Sequence, residues 1–304
     1  MISKEDNPGI AEHIRRVLSR AAGTFGDFVV TGVVLFGSVA REAQTKGSDA
    51  DLLVVAEGLS PKRNRRGDQI AQIKSLFPAI PLDILLLTRE EVISNFRNHN
   101  PLFLDIAVEG FVLLDPEDFL NGLMSETKTY IRTKGIKRFG DGWAFPVRKG
   151  VAVPLSGVTN RDFAEGMSFD AGRDFEIGHT LQEAGYFDKA VYHFQQSVEK
   201  AIKAVLITQG VFQKSHFVGS VLEGMIDELD APEGAKEQLR EMARIAKTIE
   251  PEVSLSRYPG IINDALWLPY KEYSREDAQE AKDRANRALK IAEDFLPAWF
   301  SKTI

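Results

Sequence analysis

One stretch constrains this chain more than any other. Residues 28–36, Phe-Val-Val-Thr-Gly-Val-Val-Leu-Phe, run into Gly37-Ser38, and ten residues further on comes Asp49-Ala50-Asp51. β-Branched and aromatic side chains suit a pleated, buried surface, so 28–36 predicts a strand that Gly37-Ser38 ends. A short helix from Ser38 to Ala43, a polar loop from Gln44 to Ser48 and a second strand from Asp49 to Ala56 are expected next. Alternation along that second strand points Asp49 and Asp51 to one face.

The flanking pattern builds the rest of a sheet-and-helix unit. Ile14, Val17, Leu18 and Ala21 recur at helical spacing within 10–22, before Gly23 and Gly26 break the period. Pro61 suits a first helical position, and Ile70, Ile73, Leu76 and Phe77 space a helix that Pro78 and Pro81 close. A third strand, Leu82 to Thr88, is apolar except for Asp83. Helices near Glu90–Asn98 and Pro101–Glu109 and a strand at Phe111–Leu114 complete an α/β unit of the α+β kind with a mixed sheet, expected over 1–118.

A length of 304 residues, at about 150 per domain, predicts two domains. The balance of 38 Lys+Arg against 44 Asp+Glu, a net charge of −6, disfavours a surface that wraps long nucleic acid. There is no cysteine, which excludes disulfides, thiolate metal sites and a cysteine nucleophile. The first residues are charged where a signal peptide needs an apolar stretch, and no apolar run approaches the roughly 20 residues of a membrane helix. A cytoplasmic protein without membrane attachment is expected.

From 119 to 160 the chain turns basic and aromatic: Lys128, Arg132, Lys134, Lys137, Arg138, Arg148 and Lys149 interleave with Tyr130, Phe139, Trp143 and Phe145. This segment predicts either a solvated linker or an extension of a substrate cleft. Over 161–304 the period is helical. An apolar stripe from Ala184 to Leu206 ends at Gly210, further helices are expected over 218–229, 232–248 and 274–295, and the last carries Ala278, Ala281, Ala285, Ala288 and Ala292 on one side. An all-α bundle follows.

The chemistry gathers at the first strands. A Gly-Ser turn lets backbone approach a phosphate, and amides of a following helix favour negative charge. Asp49 and Asp51 offer the hard oxygens that suit Mg²⁺, and Asp83 on the next strand is a third carboxylate, costly to bury unless a metal or hydroxyl faces it. Three carboxylates facing a nucleoside triphosphate are the parts of a two-metal transfer, with Asp83 as base or as ligand of the activating ion. Arg41 and Lys46 are candidate triphosphate contacts.

Residues 33–55, VVLFGSVAREAQTKGSDADLLVV, continued to Asp83 in PLDILLL, resemble the signature of the minimal nucleotidyltransferases of the DNA polymerase β superfamily. The resemblance implies that Gly37 and Ser38 hold the triphosphate, that Asp49 and Asp51 bind Mg²⁺, two ions in all, and that Asp83 completes the trio. It implies transfer of a nucleoside monophosphate, ATP being the favoured donor, to a hydroxyl on an acceptor that the sequence does not name. Glu42 stands where many relatives have Gly, so Arg41 carries over weakly.

The helical half resembles a HEPN domain, through EAGYFDKAVYHFQQSVEKAIKAVLITQG at 183–210, KSHF at 214–217 and SRYPG at 256–260. That resemblance implies a bundle that completes the cleft, and dimerisation through it. Many HEPN proteins are ribonucleases with an Arg, four to six residues, then His. Only Arg173 and His179 meet that spacing, in the bundle's first helix rather than a later one, and Arg257-Tyr258-Pro259 is followed by no His. Leu181 stands where adenylylated relatives carry Tyr. His193 and His216 are expected to pack or cap, while Gln195, Gln196, Glu199 and Lys200 could reach a cleft. Alternatives to a transferase are a toxin–antitoxin-like unit in one chain, and a nucleotide-binding sensor without turnover.

Overall fold

In a computed structural model, the structure describes residues 7–21, 25–41, 49–155, 157–262 and 264–301. It divides into two compact units, between Lys134 and Gly135.

The first unit runs α1 (Asn7–Ala21), β1 (Val29–Phe36), α2 (Gly37–Ala40), β2 (Ala50–Glu57), α3 (Gly67–Ser75), β3 (Leu82–Leu87), α4 (Arg89–Arg97), α5 (Pro101–Glu109), β4 (Phe111–Leu114) and α6 (Phe119–Lys134). Its strands form a mixed sheet in the order β3-β2-β1-β4, with β2 and β3 parallel and the other neighbours antiparallel. Alternation sorts the strands' apolar residues to two faces. Leu52, Val54 and Ala56 join Ile14 and Leu18 of α1 and Ile73 of α3 in one core. Leu53 and Val55 join Val92, Phe96, Phe103 and Ile106 of α4 and α5 and Leu120 and Leu123 of α6 in the other. Burying each such side chain contributes roughly 1.5–3 kcal/mol.

The helix expected from Pro61 begins later, at Gly67. Arg66 is the cause: it is 1% exposed and donates to the Ser60 and Leu86 carbonyls and to both carboxylate oxygens of Glu91. A buried guanidinium needs those acceptors, and the chain bends to reach them. The expected 119–160 linker is also divided. Residues 119–134 are α6, whose Leu120, Leu123 and Met124 lie in the first unit's core, so this unit extends past the boundary expected near Asp118.

The second unit runs β5 (Lys137–Phe139), β6 (Gly142–Ala144), α7 (Asn160–Glu183), α8 (Phe187–Thr208), β7 (Val211–Phe212), α9 (Gly219–Glu223), α10 (Glu233–Ile249), α11 (Glu252–Leu255), β8 (Gly260–Ile262), β9 (Ala265–Trp267), α12 (Pro269–Glu272) and α13 (Arg275–Phe300). Helices α7, α8 and α13 form the body, and α8 buries Phe194, Val198, Ala201, Ile202 and Val205. The alanine stripe of α13, including Ala278, Ala285, Ala288 and Ala292, is buried as expected. Thr159 and Ser274 close capping boxes at the starts of α7 and α13. The bundle carries two small strand additions, β5-β6-β7 and β8-β9. The helix expected over 218–229 is only α9 and a 3₁₀ turn at Ile226–Glu228. Trp143 and Phe145 of the basic segment are buried, while Arg138 stacks on the Trp143 ring at 4.3 Å.

Candidate functional site

The carboxylates are placed by strand register. Asp51 pairs with Asp83 across the parallel β2–β3 ladder and with Phe36 across β1–β2. Neighbouring strands lie about 4.8 Å apart, so two carboxylates stand side by side at the sheet end where β1 finishes. They continue the rows Leu53, Val55 and Leu85, Leu87, hence face the same side as α4, α5 and α6. Asp49 precedes β2 and is exposed.

Gly37 makes the seat for Asp51. Its φ is +76°, and a Cβ there would fall 1.9 Å from Asp51 Oδ2. Only a residue without a side chain reconciles that backbone with a carboxylate so close. Ser38 follows in α2, which is a single turn of four residues, so the dipole support expected from a full helix is small. Arg41 is exposed and forms an ion pair with Glu109 at 2.7 Å. Its guanidinium is therefore held against the end of α5, a partner that nothing in the sequence spacing signals. Lys46, Glu42 and the Gln44–Ser48 loop lie outside the described residues.

Asp83 differs from expectation in one respect. Its side is exposed, because β3 is an edge strand, so burial alone does not demand a metal or hydroxyl beside it. Among the described residues no group of three His, Asp or Glu is drawn together to hold a metal ion. Only Asp51 and Asp83 share a register position; Asp49 lies outside the ladder. The donor set still fits Mg²⁺ in kind, because the hard carboxylate oxygens of Asp51 and Asp83 come from one register position of the sheet.

In the second unit, Arg173 and His179 do not form a pair. Six residues along α7 is about 1.7 turns, which puts them on different sides of the helix. His179 Nδ1 instead accepts from Lys282 Nζ at 3.0 Å. His216 Nδ1 lies 3.0 Å from both oxygens of Glu199, which is 5% exposed and also accepts from Lys203, Gln195 and Gln196. His193 Nδ1 lies 2.9 Å from Asp174 Oδ1, whose other oxygen faces Lys200 Nζ at 2.5 Å. Burial pushes the Asp174 carboxyl up, but the hydrogen bonds from His193 and Lys200 outweigh it and hold the group below the usual carboxylate range.

A mixed sheet with paired aspartates beside a Gly-Ser turn, and a separate helical bundle, define a nucleotidyltransferase-type domain joined to a helical domain. Comparison with known families agrees: the nucleotidyltransferase domain family matches residues 13–114 and the HEPN domain family residues 165–296. The chain belongs to the proteins that join a nucleotidyltransferase domain to a HEPN domain. It is 36% identical over 126 residues to the Methanocaldococcus jannaschii protein named "Putative toxin MJ1304", an alignment covering 41% of this chain and 83% of that one. Similar solved structures include ST0689, an archaeal HEPN homologue, at 26% identity and TM-score 0.34 over 44% of this chain and 97% of that one. A nucleotidyltransferase-like protein from Exiguobacterium sibiricum aligns over 94% of this chain and 74% of its own, at 13% identity and TM-score 0.39. No helix among the described residues is long and apolar enough to cross a membrane.

Proposed function

We propose that the first unit transfers a nucleoside monophosphate from a nucleoside triphosphate, ATP being favoured, to a hydroxyl acceptor. The observation that carries this reading is the Asp51–Asp83 register pair, with the Asp51 carboxylate seated against the backbone of Gly37. Asp49 and Asp51 would hold Mg²⁺, with Asp83 as the third ligand or the base. The ion supplies charge neutralisation on the triphosphate and lowers the pKa of the attacking hydroxyl. Gly37 and Ser38 admit phosphate oxygens close to the backbone, and Asp51 is fixed against Gly37; the acceptor oxygen bonds to the α-phosphorus as the bond to pyrophosphate breaks, and Asp83, where it is the base, takes the acceptor's proton at a carboxylate oxygen. The helical unit, in this reading, contributes to the acceptor or nucleotide side of the reaction and to dimerisation.

The test uses the full chain with Mg²⁺ and α-phosphate-labelled nucleotides, offering protein, RNA and small-molecule acceptors, beside an Asp49→Asn/Asp51→Asn variant. Label reaching an acceptor only with the intact aspartates supports the proposal, and equal transfer by the variant overturns it. The name of the Methanocaldococcus relative favours a second reading, a toxin–antitoxin-like unit in one chain. Growth arrest on expression of the helical half, relieved by the whole chain, would support it.

A further inference from the structure

Helix α7 packs one side against α8 and α13 and leaves the other bare. On the bare side Asp162, Gly166, Phe169, Arg173 and Ile177 recur at steps of three and four residues, so they form one exposed row along the helix. Phe169 is 70% exposed in the middle of that row. Grooves lie to either side of it. One, of about 790 Å³, is lined by Gly166 and Val158, and the other, of about 440 Å³, by Ile177 and by Glu293 of α13. A Cβ added to Gly166 would meet nothing within 4 Å, so the row dips there. A bare phenylalanine beside such a dip marks a contact surface for a partner.

The charges in the row are also unspent. Arg173 forms no ion pair among the described residues, while the acids near it are taken: Asp170 by Lys200 at 2.5 Å and Glu165 by Arg161 at 2.7 Å. Asp162 accepts from the Thr159 amide and hydroxyl through Oδ2 alone. Those two hydrogen bonds hold its carboxyl below the usual carboxylate range, so it carries a full negative charge at neutral pH.

Laid antiparallel to a copy of itself about a point between Met167 and Ser168, the row answers its own features. Arg173 comes level with Asp162, Phe169 with Gly166, and Ile177 with Val158. Cation meets anion, large meets small and apolar meets apolar, each pair twice about one two-fold axis. Glu165 and Asp170 also come level, but they lie on opposite flanks of the row and each keeps its own cation.

We propose that this row of α7 is an isologous interface for a second copy of the chain, with the two α7 helices antiparallel and Arg173 of each paired to Asp162 of the other. The inference rests on the dimerisation assigned above to the helical unit and names the face and register that carry it; it is independent of the transfer chemistry.

Sedimentation of the full chain should show a dimer in the micromolar range, and Phe169→Asp should weaken it at least ten-fold with helical content unchanged. Arg173→Glu and Asp162→Lys should each be monomeric alone and dimerise when mixed, because only the mixed pair restores both ion pairs, a rescue that simple damage to α7 would not give. The chain has no cysteine, so a thiol placed at Gly166→Cys can be addressed singly. A short bismaleimide should link two copies there and fail at Thr180→Cys, which the antiparallel register holds about 37 Å from its equivalent along the helix axis. A dimer that survives Phe169→Asp, or no gain on mixing, overturns this face while leaving dimerisation elsewhere. A monomeric parent overturns both, and slow labelling of its Gly166→Cys thiol would assign the groove to another part of the same chain.

Discussion

Asp51 lies so close over Gly37 that a single added methyl group on Gly37 would reach to 1.9 Å from Asp51 Oδ2. The glycine thus does two things at once. It takes a left-handed backbone at φ +76°, and it clears the place where the carboxylate sits. Replacing it by alanine should cost roughly 1–2 kcal/mol of stability from the backbone alone. Transfer should fall by more than that loss explains, because Asp51 must also move. Thermal melts set beside labelled-nucleotide transfer for Gly37→Ala check both parts; a variant that melts lower but transfers normally would separate the glycine from the site.

Asp49 and Asp83 should matter little to stability and much to activity. Asp49 and Asp83 are exposed, so Asp49→Asn and Asp83→Asn are expected to leave the unfolding free energy within about 0.5 kcal/mol of the parent. Each should lower transfer by on the order of 100-fold or more, the scale on which enzymes lose rate when one electrostatic stabiliser is removed. Circular dichroism and initial rates on the same preparations decide it.

Acid should weaken the first unit through Glu91. Burial raises its carboxyl, but hydrogen bonds from Arg66, the Thr88 backbone and Arg63 more than reverse this and bring it to about 2. A depressed carboxylate stabilises the fold fully above its unfolded value near 4.5, and that contribution is lost as pH falls from there toward about 2. Glu91→Gln should flatten this part of the pH–stability curve. Glu91→Ala should cost about 3 kcal/mol at neutral pH by stranding the buried Arg66, read from urea unfolding.

Glu199 is the corresponding point in the helical unit. Its buried carboxylate accepts from Lys203, Gln195 and Gln196 and meets His216, so it fastens the 213–218 segment to α8. Glu199→Ala should cost roughly 1–3 kcal/mol by leaving those donors without an acceptor. Hydrogen exchange should show faster opening of amides around His216 in that variant, with the first unit's sheet unchanged.

Much of this architecture was legible in the chain itself. Short continuous runs of β-branched, aromatic and aliphatic residues located β1, β2 and β3 because both faces of each strand meet an apolar core, and period 3.6 located α8, α10 and α13 because each buries one stripe. The Gly-Ser turn and Asp49-x-Asp51 were readable because a turn's backbone need and a strand's alternation are local properties. Tertiary structure decided what local rules do not reach. Arg66 delayed a helix because its guanidinium seeks acceptors on residues as far away as Glu91, and α6 joined the first unit because Leu120 and Leu123 complete a core laid down by β1 and β2. The register that sets Asp51 beside Asp83, the capture of Arg41 by Glu109, the meeting of His193 with Asp174 and the stacking of Arg257 on Tyr192 all join residues from separate elements. Sequence determined which groups this protein has and the period on which they repeat. Packing decided which of them meet, since contacts between distant segments form only where burial of the intervening cores offsets the entropy of closing the chain between them.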